Sequence, residues 1–277
     1  MPRKPPSISP PFEELWRDIV FPLDQFFKGP TTDSSALDTQ SYMKATYACF
    51  NLCTSQPHSS DASSLKLQNP ELARPFRTTE RTGIADDGPE LHEPREHKCL
   101  FFYEKLDSYF AEHARSLRPQ NTDTLDIRHL VGNYQTYAAA VKKADRVLNY
   151  FNRHLVERWR DEGKGGFKIN RDSQGKLTEK TENRAVPWGY EEGGGNIEDI
   201  QGYAEAGSKL MTVVSVNATG LRRFRTEVVE VLDLEVALGR EMAESEKEEV
   251  VNMLKQIGFP PNHRWRKMLQ ITENQVT

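Results

Sequence analysis

Apolar residues in this chain return every three or four positions, and nowhere do they alternate with polar ones over the length of a strand. A helix buries one stripe of its surface at a period of 3.6, whereas a half-buried strand buries every second residue. A chain that carries only the first pattern must bury helix against helix. Phe12, Leu15, Trp16, Ile19, Leu23, Phe26 and Phe27 make the first stripe, on a helix that starts at Pro11 or Phe12 and stops at Lys28-Gly29-Pro30. Pro22 has no amide donor and crowds the preceding turn, which predicts a kink or break there. A second helix reaches Cys53 from an N-cap at Asp38 or Thr39. A third, over 98–117, is striped by Leu100, Phe101, Tyr103, Leu106, Tyr109 and Phe110 and closed by Arg118-Pro119. A fourth covers 126–137. A fifth, over 138–159, places Val141, Ala144, Leu148, Phe151, Leu155 and Trp159 on one side. The expectation is an all-α bundle or repeat.

The remaining segments punctuate these helices. Residues 1–11 are Pro-rich and read as a disordered tail, and 54–97, rich in Ser, Pro, Asp, Glu and His, read as a mobile loop. Composition shifts after Arg160, and 167–196, with Gly193-Gly194-Gly195, read as a linker or an insertion. Helical patterns resume over 197–212, 218–238 and 244–257. Leu221, Phe224, Val228, Val231, Leu232 and Leu238 stripe the middle one, and Gly258 followed by Pro260-Pro261 ends the last.

Several function classes are disfavoured. The net charge of -4 argues against nucleic acid as a partner, which calls for a basic footprint. No run approaches the roughly 18 apolar residues of a membrane span, so no membrane partner is expected. The basic start, MPRKPPSISPP, has no apolar core behind it and is not read as a secretory signal. Three cysteines, Cys49, Cys53 and Cys99, are an odd and sparse set for a disulfide framework, so cytoplasm or nucleus is the expected compartment.

The chemistry-bearing residues do not assemble into a motif. His92, His97 and Cys99 invite a zinc assignment, but a structural site needs four ligands and no Cys-x-x-Cys accompanies them, so no metal is expected. Cys49 and Cys53, four apart, read as small core residues. No nucleophile elbow is present, and the glycines at 163–166 and 193–195 lack the Lys-Ser/Thr of a phosphate loop. No catalytic residue and no cofactor are assigned. Asn217-Ala218-Thr219 spells a glycosylation sequon only. Arg222, Arg223 and Arg225 read as a solvated helix face beside the acidic run at 244–249.

Three segments carry a family resemblance. Phe12-Glu13-Glu14-Leu15-Trp16-Arg17-Asp18-Ile19 resembles the Trp-containing opening helix of the cullins. Ser41-Tyr42-Met43, followed through Tyr47 to Phe50-Asn51-Leu52-Cys53-Thr54-Ser55, is similar to their second helix. Tyr150-Phe151-Asn152-Arg153-His154, with Asp161-Glu162-Gly163 behind it, resembles the fifth helix of the first cullin repeat. The order and spacing agree across 12–166, and 197–277 weakly resemble part of a second repeat.

This resemblance implies one complete five-helix cullin repeat followed by a partial second one. It implies a non-catalytic scaffold that binds a BTB-fold adaptor and, through it, an F-box-type substrate receptor of a cullin-RING ubiquitin ligase. Nothing resembles the C-terminal cullin homology region, so a truncated scaffold that holds no RING protein is expected. The family positions that contact the adaptor fall on Tyr42, Met43, Thr46, Tyr47, Phe50, Tyr150 and His154, with Thr46 standing where the family usually has Tyr. On a helix most of the second-helix positions share one aromatic, Met-bearing face, a composition favoured at interface cores. The same stripe would also suit a core. Burial of Tyr42, Met43 and Tyr150 distinguishes the two readings, and a helical-repeat interaction protein with a decayed adaptor surface is the alternative function.

Overall fold

The first helix, α1 (Phe12–Lys28), continues through Pro22 where the sequence predicts a kink or a break. A proline inside a helix costs about 3 kcal/mol. Here its ring is buried beside Ile19 and Leu23, and that burial offsets the missing hydrogen bond. The computed structural model describes residues 10–28, 38–55, 61, 65–68, 94–119, 125–190, 196–232, 234–239 and 242–271. The tail up to Ser9, most of the 54–97 loop with His92, and Gly193-Gly194-Gly195 lie outside the described residues.

The fold is all-α. Among the described residues the only extended pairing is a single bridge between Arg171 and Leu177. Helix α2 (Thr39–Thr54) begins at Asp38, whose carboxylate accepts from the Ser41 amide at 2.9 Å. Hydrogen bonds from Ser41, side chain first and then backbone, hold that carboxyl below its ordinary range. Helix α3 (Pro94–Ser116) and α4 (Ile127–Val147, capped by Asp126) follow.

The boundary between the fourth and fifth helices falls at Leu148, not at 137–138 as the sequence predicts. Tyr137-Ala138-Ala139-Ala140 contains no breaker and three of the best helix formers. Val147 and Leu148 are both buried, so the chain must change face there. Helix α5 then spans 149–161 and contains a π turn, Asn152–Glu157.

Beyond α5 come α6 (Glu179–Ala185), α7 (Ile197–Ala206), α8 (Val216–Phe224), α9 (Leu234–Leu238), α10 (Glu244–Gln256) and α11 (Arg264–Ile271). The pattern over 218–238 is therefore not one helix. After α8 a π turn, Arg225–Val229, leads into a bend at 230–232, and Val231 points to solvent instead of joining the stripe. The helix predicted to reach 212 stops at Ala206, and Gly207, which follows it, packs against the backbone of Gly258. Gly258 has φ +88, and a Cβ there would lie 2.1 Å from the Gly207 nitrogen, so only glycine fits.

One core runs through α1 to α5 and continues into α8, α10 and α11, with Ile19, Leu52, Phe102, Val141, Phe224 and Leu254 fully enclosed. Residues 167–204 close a second, smaller cluster of Phe167, Ala185, Ile197, Ile200 and Ala204. Glu205, buried at the end of α7, accepts the Arg160 guanidinium of α5 at 3.0 Å and the Ser215 hydroxyl at 3.1 Å.

The arginines at 222, 223 and 225 are not a solvated face. Arg222 is fully buried, donating to the carbonyls of Lys209 and Thr212 at 2.8 Å and to the Tyr103 hydroxyl at 2.9 Å. Arg223 donates to Asp107 at 2.8 Å, and Arg225, also buried, donates to the Ser208 carbonyl at 3.1 Å. Their partners come from α3 and from the turn after α7, elements distant in sequence, so local charge patterning points the wrong way. The acidic run is engaged elsewhere, with Glu246 pairing to Arg128.

Candidate functional site

Helix α2 is two-sided. Ala45, Ala48, Cys49 and Leu52 are buried, and the small side chains let α1 lie close against that side. The other side carries Met43 and Tyr47, each 65% exposed, with Tyr42 and Phe50 at about 40%. Met43, Tyr47 and Phe50 follow at steps of four and three, and Tyr42, Thr46 and Phe50 at steps of four, so all five line one helix face. Thr46 is half-buried, and its hydroxyl donates to the Tyr42 carbonyl at 3.0 Å. That hydroxyl is satisfied within the helix, which leaves the methyl group as the part of Thr46 offered to a partner.

Helix α5 completes the face. The half-buried Tyr150 ring meets Phe50 edge-on at 5.0 Å, and the exposed His154 stacks on Tyr150 at 4.0 Å. Tyr47 lies parallel to Phe50 at 6.4 Å. The rings of Tyr47, Phe50, Tyr150 and His154 thus form a continuous row across two helices. Such pairs are worth about 0.5–1.5 kcal/mol beyond their area where they are buried, and less on a face as exposed as this one. Rings already held by one another also lose less freedom when a partner covers them. Every site residue expected from the sequence therefore lies at this face and none is fully buried, although Tyr150 also packs against the edge of the core.

The three cysteines sit behind it. Hydrogen bonds with Cys49 and Cys99, followed by burial, push the Cys53 thiol well above its ordinary range. The Cys99 thiol also approaches the Leu52 carbonyl at 3.8 Å. The Cys53 thiol is therefore protonated and a poor nucleophile. Partial desolvation, with Cys53 and Cys49 nearby, raises the Tyr150 phenol as well, so Tyr150 meets a partner as a neutral donor and acceptor.

Phe21, 56% exposed, is a feature that stripe reasoning misses. It lines a groove of about 540 Å³ between α1 and α2 with Arg17, Asp18, Gln40, Ser41 and Lys44. Its signal in the sequence is that it is a large apolar residue off the stripe set by Ile19 and Leu23.

Among the described residues, no group of three or more His, Cys, Asp or Glu is placed to hold a metal ion. Nor is any helix among them long and apolar enough to cross a membrane. Thr219 of the sequon is buried, with its hydroxyl donating to the Ser215 carbonyl at 2.9 Å. Comparison with protein-family models, with curated proteins and with solved structures finds no match to this chain.

Proposed function

We propose that this protein is a non-catalytic scaffold that binds a BTB-fold adaptor of a cullin-RING ubiquitin ligase, and through it an F-box-type substrate receptor. The observation that carries this reading is the exposure of Tyr42, Met43, Tyr47 and Phe50 on a helix whose other side is buried. A core stripe would be covered by the rest of the chain. This one is open, is extended by Tyr150 and His154, and coincides with the positions that resemble the adaptor-contacting residues of the cullins. Aromatic side chains suit such a role because they bury large area with few rotatable bonds, and Met43 because it is adaptable. Thr46 offers a methyl group where the family usually has a Tyr ring, so this position contributes less contact area, or meets a pocket of different shape.

Calorimetric titration of the full chain with a purified adaptor–receptor complex tests the proposal. Binding should weaken by roughly thirtyfold on Tyr47→Ala or Tyr150→Ala, the scale of an interface anchor worth about 2 kcal/mol. No binding, or binding indifferent to Tyr42→Ala, Met43→Ala and Tyr150→Ala, sinks the adaptor reading and favours a helical-repeat protein with another partner.

A further inference from the structure

Asn152 opens the π turn of α5, immediately after Tyr150 and Phe151. A π turn has poorer hydrogen-bond geometry than an α turn, so groups outside the helix must hold it. Here the Asn152 side chain is used at both ends. Its carbonyl oxygen accepts from the Val216 amide at 2.9 Å, and its amide donates to Asp145 Oδ1 at 2.9 Å. The same Asp145 oxygen accepts from the Asn217 amide at 3.0 Å.

Val216 and Asn217 are the first two residues of α8, and their amides have no acceptor inside that helix. Ser215 satisfies the Ala218 amide, while Asp145 and Asn152 satisfy the two before it. A carboxylate at this end also complements the helix dipole. Three helices, α4, α5 and α8, therefore meet at one pair of side chains.

The opposite side of the same turn belongs to the aromatic face. Across the π turn, Arg153 and His154 are both exposed and Leu155 and Val156 both buried, and His154 stacks on Tyr150. We infer that Asp145 and Asn152 are positioning residues for the aromatic face: by anchoring the π turn to the start of α8, they set His154 against Tyr150. The segment from Val216 onward is then part of how the face is built. The docking role of the face rests on the function proposed above; the positioning of its rings does not.

The full chain carrying Asn152→Asp, Asp145→Asn, or both together tests this. Asn152→Asp removes the amide donor and faces two carboxylates, whereas the double exchange restores one donor between the pair. In Asn152→Asp, amide exchange over 152–157 should quicken about tenfold, the scale of one or two lost part-buried hydrogen bonds. The upfield ring-current shift of the His154 ring protons should vanish, and adaptor affinity should fall with it. Asp145→Asn should show the same changes in smaller degree, and the double exchange should recover all three readouts to within about threefold. An unchanged ring-current shift in both single variants overturns the inference. So does a loss that the exchange fails to recover, which marks a general structural role. Ring signals that respond as expected in a chain that binds no adaptor uphold the positioning and defeat the proposed function instead.

Discussion

Between α3 and α8 this protein buries an arginine among hydroxyl and carbonyl groups, while on α2 and α5 it leaves a row of aromatic rings in water. Residue type alone predicts the reverse. Arg222 can be enclosed because its terminal nitrogens meet Tyr103, Lys209 and Thr212, with Asp107 at 3.6 Å. Tyr47 and Met43 remain outside because the small inner residues of α2 already fill the space against α1. The interior contact holds the molecule together, and the exterior row contributes area that only a partner can use. Stability and binding should therefore separate cleanly between the two regions.

The largest expected effect is on the interior. Arg222→Ala removes the donors to the Lys209 and Thr212 carbonyls and leaves a cavity, and should cost about 3–5 kcal/mol in denaturant unfolding, whereas Arg222→Met, which fills the volume without a charge, should cost less. Equal losses for the two variants would show that the polar contacts, not packing, carry this region.

A smaller effect is expected from pH. Burial lowers the pKa of His113, against a partial opposing pull from Asp24, and burial also lowers that of His263. Both are neutral in folded and unfolded chains above the ordinary histidine range. As pH falls through that range the unfolded chain takes the protons first, so stability declines toward acid. Thermal melts between pH 7.5 and 5.5 should show this decline, and His113→Gln should flatten it; a rise toward acid would reverse the assignment.

The smallest effect belongs to the exterior. Met43→Ala and Tyr47→Ala should change stability by no more than about 0.5 kcal/mol while weakening adaptor binding. A large loss of stability from either would mean that the ring row supports the fold, and the contrast between the regions would collapse.

The two regions also differ in how far the sequence discloses them. Helical class follows from periodicity, and the α2 face follows from side chains placed at steps of three and four. These are local signals, and α2 keeps them because its N-cap and length are set by its own residues. Arg222 is misjudged because its partners lie on α3 and in the turn after α7, which no window along the chain brings together. The break at Leu148 escapes notice for a related reason: no glycine or proline marks it, and the change of buried face comes from packing. Pro22 errs in the opposite direction, a local breaker overridden by burial. Asn152 shows in the sequence only as part of the Tyr150-Phe151-Asn152-Arg153-His154 segment and Asp145 not at all, since the partners of both lie at the start of α8, more than 60 positions away.

Side-chain oxidation by hydroxyl radicals, read residue by residue with and without the adaptor complex, tests the central claim most directly. Met43 and Tyr47 should be strongly protected in the complex, together with Phe50 and Tyr150, while Met211, 40% exposed in the turn after α7, should react as before. Equal oxidation of Met43 and Tyr47 in the two states would contradict the account.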